Sequence, residues 1–353
     1  MTGPAPGKRA TIRDVAARAG VSVATASRVL SGSDYPVTGR MRGKVLRAVD
    51  ELDYVANAHA RALSGSRPKL IAMVGATMNS PFYADIAQGV ASEAAAQDRL
   101  CMYASSQGDA ESELAIVSLM RQQQADAVIL MGGVVPTEEY DRRMAKYAAN
   151  LTAAGSRLVL CGRPGIGPGQ PAIVVGYDNA EGAAAITSHL ASYGHRRILH
   201  LAGASGNTTA AERVDGYRSA VRRHGLDPDP GLVVHGGFNR ESGHRNVAER
   251  LRANGGRPDY TAIFAADDSV ASGAMRALRE AGVSLPAEVS IVGYNDSIPA
   301  KDLSPLLTTV HIPADELGRT AVRLALAPVP PTEPVLLGTH IVVRDSVTHP
   351  PTV

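Results

Sequence analysis

Small, polar and basic side chains lie close together in residues 22–28 of this chain. Ser22, Thr25 and Ser27 carry hydroxyls, and Arg28 carries a guanidinium. An arginine fork donates to O6 and N7 of one guanine, and hydroxyls bond phosphates or base edges. On one short helix these residue types predict a surface that fits the DNA major groove. A surface salt bridge is the alternative role for Arg28.

Two predicted helices position this surface. Thr11 and Asp14 have the spacing of a capping box, in which a hydroxyl and a carboxylate satisfy the first free N–H groups of a helix. Gly20 then ends that helix, and Ser22 caps the next one. Apolar residues at helical spacing face a shared core, namely Ile12, Val15, Ala16, Ala19, Ala26 and Val29. Two helices joined by such a turn form a helix-turn-helix, which predicts DNA binding.

A third helix and a linker complete the predicted head. The helix opens at residues 37–38 and carries an apolar stripe of Val45, Leu46, Val49 and Leu52. Residues 57–63 are rich in alanine and too short to hold a helix alone in water. We therefore predict a head domain over residues 1–56. Residues 57–68 are then a linker that becomes helical when something supports it.

Charge is distributed unevenly along the 353 residues. Residues 1–69 hold 12 basic and 5 acidic side chains, a net charge of +7, whereas the remainder carries −5. A basic head neutralises phosphates, while an acidic body is repelled by DNA. The length predicts two or three domains.

Several classes of protein are not expected. Cys101 and Cys161 give neither a disulfide framework nor a metal-ligand spacing, and no cofactor is expected. Residues 1–10 lack the apolar region of a signal peptide, and no run is long enough to span a membrane, which predicts a cytoplasmic, nucleoid-associated protein. The motifs of phosphate-binding loops, zinc proteases and serine hydrolases are missing, so catalysis is not expected. His195 is interpreted as structural.

Beyond residue 69, short apolar runs alternate with helical patterns. This alternation predicts parallel sheets covered on both faces, and the number of units predicts two doubly wound lobes. Ligands bind beyond the carboxyl ends of such strands. Polar and aromatic residues stand there, so we predict a small-molecule cleft that contains Asn79, Phe82, Arg213, Asp267 and Asn295.

The motifs of both parts, in this order, resemble the LacI/GalR family of bacterial transcriptional regulators. They are TIRDVAARAGVSVATASRVLSG, YVANAHARAL, YGHRRILHLAG, GAMRALREAG, VSIVGYNDS and LSPLLTTVHIP. The resemblance implies an all-α helix-turn-helix head plus an α/β periplasmic-binding-protein-like core over residues 69–346. We expect a first lobe over about 69–168 and 297–326, and a second over about 169–296 and 327–346.

The resemblance also assigns residues to DNA. Val23 and Ala24 occupy the family's two main specificity positions, beside the base-reading Arg28. Leu63 matches a leucine wedge that opens a base step in the minor groove, which bends the duplex; packing on the core is the alternative. Ala56 stands where the family usually has proline. Without the fixed φ of proline, the hinge helix is easier to melt. The full set is Thr11, Ser22, Val23, Ala24, Thr25, Ser27, Arg28, Asn57, Ala60 and Leu63.

For the effector, Arg213 matches the family's ligand-binding arginine. Asp267 stands where many members have asparagine, and Asn295 where many have aspartate. Gly162 replaces a common acidic residue, so one usual sugar contact is absent. The expected site is Asn79, Phe82, Tyr83, Arg163, Arg213, Asp267 and Asn295.

Polar groups for hydroxyls and rings for C–H faces favour a sugar or glycoside, with a nucleoside or nucleobase as the alternative. The implied partners are a near-palindromic operator DNA and a second copy of the chain, as a homodimer with a tetramer as the alternative. A solute-binding protein for transport is a rival function, opposed by the basic head. Whether the effector induces or co-represses stays open.

Overall fold

The computed structural model describes residues 10–31, 36–54, 69–167 and 169–351. The chain divides into two compact units, one up to Pro68 and one from Lys69 onward. The two units are described separately below.

Three short helices around a small apolar centre form the head. They are α1 (Ile12–Ala19), α2 (Val23–Ser31) and α3 (Gly39–Glu51). The capping box at α1 is formed, because Thr11 Oγ1 accepts from the Asp14 amide while Asp14 Oδ2 accepts from the Thr11 amide at 2.8 Å. Gly20 ends α1 in the left-handed region, with φ at +64°. There a Cβ would be strained.

The head core agrees with the predicted stripes at all but one position. Its buried members are Val15, Ala16, Ala19, Ala26, Val29, Val45 and Ala48. Leu46, predicted to face inward, is 48% exposed, so that prediction is wrong. Ala48 takes the inward position instead, since it lies three residues after Val45 on the same side of α3.

The second unit contains two six-stranded sheets and their covering helices. The strands are β1 (Leu70–Gly75), β2 (Leu100–Ser105), β3 (Ala127–Met131), β4 (Arg157–Cys161), β5 (Ala172–Tyr177), β6 (Ile198–Ala202), β7 (Val233–His235), β8 (Ala262–Ala265), β9 (Ser290–Asn295), β10 (Thr308–His311), β11 (Val335–Leu337) and β12 (His340–Val342). The helices are α4 (Pro81–Ala96), α5 (Ala110–Gln122), α6 (Glu138–Ala153), α7 (Asn179–Ser192), α8 (Thr208–His224), α9 (Arg240–Ala253), α10 (Asp268–Glu280), α11 (Ile298–Asp302) and α12 (Ala314–Leu326).

Each sheet belongs to one lobe. The first has the order β11-β5-β4-β3-β1-β2, and the second the order β12-β10-β9-β8-β6-β7. The pairs are parallel except β10 with β12. The central strands β1, β3, β8 and β9 are buried along their whole length. The two doubly wound lobes predicted from the sequence are therefore confirmed.

Where the chain crosses between the lobes, the expected boundaries are wrong. Strand β5 pairs with β4 and stays in the first sheet, whereas β10 pairs with β9 in the second. The last two strands are likewise divided between the lobes, with β11 in the first sheet and β12 in the second. An apolar strand has the same composition in either sheet, so its sequence does not specify which neighbour it pairs with.

Pairs of helices cover the sheets, and glycines allow three of these pairs to approach closely. A Cβ on Gly89 of α4 would lie 1.9 Å from the Asp315 carbonyl oxygen of α12. Gly216 and Gly273 meet backbone in the same way between α7 and α8 and between α9 and α10. Among the described residues, no helix is long and apolar enough to cross a membrane.

Candidate functional site

The exposed side of α2 carries the side chains predicted to read DNA. Val23 is 44% exposed, and Ala24 and Arg28 are also exposed. Ser22 caps the helix, since its Oγ accepts from the Thr25 amide at 3.1 Å. Ser27 and Thr25 are half-buried. The opposite side of α2 packs into the head core, so the helix offers one polar and basic surface to a partner.

The other predicted DNA residues have different positions. Thr11 is the N-cap of α1, and its hydroxyl donates to Asp14 Oδ2 at 2.7 Å. In this structure the Thr11 side chain therefore contacts its own helix. Basic side chains on the exposed part of α3 add positive charge to the head, namely Arg40, Arg42, Lys44 and Arg47. Asn57, Ala60 and Leu63, predicted to form the hinge, lie outside the described residues.

A cavity of about 300 Å³ lies between the two lobes, at the carboxyl ends of strands from both sheets. Such an edge is where a doubly wound fold binds its ligand. The lining residues are Ala76, Thr77, Ser80, Phe82, Tyr83, Ile86, Gly132, Gly133, Cys161, Gly162, Tyr177, Asn207, Thr209, Arg213, Phe238, Asp267 and Asn295. The volume suits a small molecule.

Arg213, on α8, is the fixed cation of this cavity. Its side chain is 2% exposed and donates from Nε to Asn179 Oδ1 at 2.9 Å. Nη2 donates to Asn295 Oδ1 at 3.3 Å, and Nη1 donates to the Ala266 carbonyl oxygen. The guanidinium lies 3.7 Å from the centre of the Tyr294 ring. These contacts fix the orientation of the guanidinium plane before any ligand binds.

Asp267 and Asn295 form a hydrogen-bonded pair beside this arginine. Asn295 Nδ2 donates to Asp267 Oδ2 at 2.7 Å, and the Ser269 amide donates to Asp267 Oδ1 at 2.6 Å. Burial raises the pKa of Asp267, while the Ser269 amide and the charge of Arg213 oppose the rise. The pair therefore offers one carboxylate and one amide, acceptor and donor side by side, to a hydroxyl-bearing ligand.

Aromatic rings form the other side of the cavity. Phe82 and Tyr177 make an edge-to-face contact with their centroids 5.9 Å apart, and Tyr83 lies beside them. Burial raises the pKa of both tyrosines. Both hydroxyls thus stay protonated at neutral pH. Phe238, from the second lobe, lies with its ring 5.9 Å from the Arg213 guanidinium.

The structure brings five of the seven predicted effector residues to this cavity. Asn79 is exposed and does not line it, while Arg163 lines an adjoining hollow instead. Sequence reasoning missed Tyr177, Asn207, Thr209 and Phe238. Asn207 and Phe238 follow β6 and β7, so the rule that ligands bind beyond strand ends would have found them.

On one side of the cleft the lobes are joined by two hydrogen bonds between Thr208 and Val134. The Thr208 amide donates to the Val134 carbonyl oxygen at 2.8 Å, and the Val134 amide donates to Thr208 Oγ1 at 3.1 Å. The N-terminus of α8 therefore contacts the loop after β3. Arg213 lies on the same helix, five residues after Thr208.

Comparisons with known proteins agree with both parts of the chain. Residues 11–57 match the family described as bacterial regulatory proteins, lacI family, and residues 187–347 match a periplasmic binding protein-like domain. The HTH-type transcriptional regulator CelR of Thermobifida fusca is 36% identical over 349 residues, covering 96% of this chain and 98% of that protein. The chain belongs to the lacI family of transcriptional regulators.

Solved structures agree with this family assignment. A complex of the transcriptional regulator CelR with cellobiose has a TM-score of 0.69 at 32% identity, covering 96% of this chain and all of the other. A lac repressor dimer bound to operator and an anti-inducer has a TM-score of 0.82 at 25% identity, covering 97% and 100%. The family resemblance and the fold predicted from the sequence are thus confirmed.

Proposed function

We propose that this lacI-family regulator is a repressor that binds a near-palindromic operator as a homodimer and releases or holds it in response to a sugar. The observation that carries the sugar assignment is the pairing of Asp267 and Asn295 beside the fixed guanidinium of Arg213. These groups supply alternating donors and acceptors, and the rings of Phe82 and Phe238 offer apolar faces. Vicinal hydroxyls on a ring with C–H faces match this combination.

The similarity to CelR, whose solved complex contains cellobiose, supports the same class of ligand. A nucleoside is the alternative, because the aromatic side chains would also stack on a base. His195 bonds Thr261 Oγ1 and the Thr348 carbonyl oxygen, both at 2.9 Å, which supports a structural role for this residue.

In this proposal residues 1–56 form the DNA-binding head, residues 57–68 the hinge and residues 69–346 the sensor. Asn57, Ala60 and Leu63 contact the minor groove when paired hinges fold on DNA. The ligand acts by favouring one lobe arrangement. Shifting a 1:99 equilibrium to 99:1 requires about 5.5 kcal/mol of differential binding. Since its partner is the chromosome, the protein acts in the cytoplasm, at the nucleoid.

The test combines DNA binding with a ligand screen. An operator is first selected from random duplexes, and its affinity is then measured with and without a panel of sugars and nucleosides. Arg213→Ala should still bind the selected operator but lose at least tenfold in ligand affinity, because one charge-assisted hydrogen bond contributes about 1.5–3 kcal/mol. Arg218→Ala is the matched control, since Arg218 is exposed on the same helix.

Two results would contradict the proposal. Selection that yields no preferred sequence would exclude an operator-binding regulator. If nucleosides change operator affinity and no sugar does, the effector is a nucleoside. The assignment as a DNA-binding regulator would then still hold.

A further inference from the structure

Gly203, the residue directly after strand β6, lies against the tip of the Phe238 ring. A Cβ added to Gly203 would be 2.1 Å from Phe238 Cζ and 2.3 and 2.7 Å from the two Cε atoms. Carbon atoms in contact are normally about 3.5–4.0 Å apart. The ring therefore occupies the space that any side chain at residue 203 would need. Gly203 is buried behind the ring, whereas Phe238 lines the ligand cavity.

The backbone of Gly203 is fixed by the neighbouring strand. His235 is the last residue of β7 and pairs with Ala202 of β6. Its Nδ1 donates to the Gly203 carbonyl oxygen at 3.1 Å, and the Gly236 amide donates to the same oxygen at 3.4 Å. Gly203 therefore cannot retreat from the ring without losing these hydrogen bonds.

The backbone on either side of Phe238 is also anchored. The Gly237 amide donates to Ser242 Oγ at 2.9 Å. Asn239 caps α9, because its Oδ1 accepts from the Ser242 amide at 2.8 Å. Ser242 is itself buried in the first turn of that helix. With both neighbours held, the part of Phe238 that is able to move is its ring.

This contact differs in kind from the close helix contacts of the sensor. Gly89, Gly216 and Gly273 meet backbone atoms, which cannot move aside. Gly203 meets the far end of a side chain, which rotates about its own bonds. A methyl group at residue 203 would displace the ring by about 1.5 Å to restore normal carbon contacts, and the open space beside the ring is the cavity. The substitution would thus change the ligand site and leave the fold intact.

We propose that Gly203 is a specificity-determining residue of the sensor, because its missing side chain determines how far the Phe238 ring extends into the ligand cavity. The inference rests on the proposed function, since the depth of the cavity matters only if the effector binds there. The ring lies 5.9 Å from the Arg213 guanidinium, so a displaced ring leaves less room for a ligand that bonds this arginine. A misfit of one methylene in an apolar pocket changes discrimination about 10- to 200-fold.

The first part of the experiment needs no ligand. The chain contains three phenylalanines, Phe82, Phe238 and Phe264, so protein made with ring-13C phenylalanine gives three groups of aromatic NMR signals. Phe238→Leu identifies the group that belongs to Phe238. Gly203→Ala should shift this group more than the other two, with a thermal unfolding temperature close to that of wild type. Unmoved Phe238 signals, or an unfolded Gly203→Ala protein, would overturn the proposal.

The second part measures calorimetric affinities for glucose, galactose and ribose. A sugar that binds wild type should bind Gly203→Ala at least tenfold more weakly. Gly165→Ala is the control and should bind normally, because its added Cβ makes an ordinary 3.5 Å contact with Val174 outside the cavity.

A double variant tests whether Gly203 acts through the ring. Phe238→Leu lacks Cζ and both Cε atoms, so adding Gly203→Ala to it should change sugar affinity less than twofold. An equal tenfold loss in both backgrounds would overturn the role of the ring. Failure of all three sugars to bind wild type would count against the proposed sugar effector, whereas the NMR shift still decides whether Gly203 positions Phe238.

Discussion

Arg213 combines two roles that proteins often give to different residues. Its guanidinium lines the ligand cavity and also joins Asn179, Ala266 and Asn295, which belong to separate elements of the second lobe. A ligand that bonds this guanidinium therefore contacts a residue already fixed by the core. The side chain is already oriented for binding, so ligand binding costs little additional side-chain conformational entropy.

For Arg28, the prediction concerns sequence preference. Arg28→Ala should reduce discrimination between the selected operator and random DNA about five- to a hundredfold, since one bidentate base contact contributes about 1–3 kcal/mol. Weak, salt-sensitive binding should remain, because phosphate contacts do not depend on sequence. Gel-shift titration against both duplexes measures the effect.

The control for Arg28→Ala is Arg18→Ala, which removes one positive charge from α1. Arg18 pairs with Glu51 at 2.6 Å within the head, so its loss should leave the preference unchanged. Equal loss of preference in both variants would show that net charge, rather than base reading, accounts for the effect.

Asp268 gives a prediction about pH. Burial first, and then the neighbouring charge of Asp267, raise the pKa of Asp268 to about 7, although Ser297 and Thr309 donate hydrogen bonds to its carboxylate. The folded state therefore holds this proton more tightly than the unfolded chain does. The contribution of Asp268 to stability is largest below about pH 4 and is lost as pH rises toward about 7.

Asp268→Asn removes this titration. Relative to the variant, the wild-type free energy of unfolding should fall with rising pH by up to about 1.4 kcal/mol per unit between about pH 5 and 7, then level off. Urea unfolding at four pH values measures both proteins. Parallel pH curves would contradict the shifted pKa.

Among the elements, the contact of α4 with α12 determines how the first lobe presents its aromatic residues. Gly89→Ala would place a methyl group in steric conflict with the Asp315 carbonyl oxygen. Because that oxygen belongs to the backbone, it cannot move aside as a flexible side chain can. We expect a loss of about 1–3 kcal/mol in stability, typical of overpacking. Ligand affinity should fall too, because the first turn of α4 carries Phe82 and Tyr83.

Gly43→Ala in α3 is the matched control. Nothing lies within 4 Å of a Cβ at Gly43, so this helical alanine should stabilise the head by up to about 1 kcal/mol. Denaturant unfolding of both variants separates the two effects. A stable Gly89→Ala protein with normal ligand affinity would contradict the close helix contact.

Elements with strong periodicity or caps were predictable from the sequence. The capping box at Thr11, the helices of the head and most apolar strands follow from local patterns. Helix α8 begins at Thr208, where the Asn207 side chain caps it by accepting from the Ala210 amide. The apolar-run pattern did not identify strand β10, because Thr308 and Thr309 are polar residues although both are buried.

At the scale of the whole molecule, the order of the sheets was not predictable in full. The positions of β5, β10 and β11 depend on which neighbour pairs with each strand, and similar apolar composition leaves that choice to tertiary packing. The cleft residues that follow strands were predicted, because strand ends determine the position of a ligand site. The adjoining hollow lined by Arg163 was not predicted, since it arises where the N-termini of α5 and α6 meet.

The path of the chain between the lobes has a consequence for synthesis on the ribosome. The head is complete once residue 54 has left the exit tunnel, whereas the first sheet waits for β11 at residues 335–337 and for the covering helix α12. Domains fold as units during translation, the N-terminal ones first. A nascent chain thus completes its helix-turn-helix surface long before the sensor exists, so the DNA-contacting part of the protein is made first and its control by a metabolite is added last.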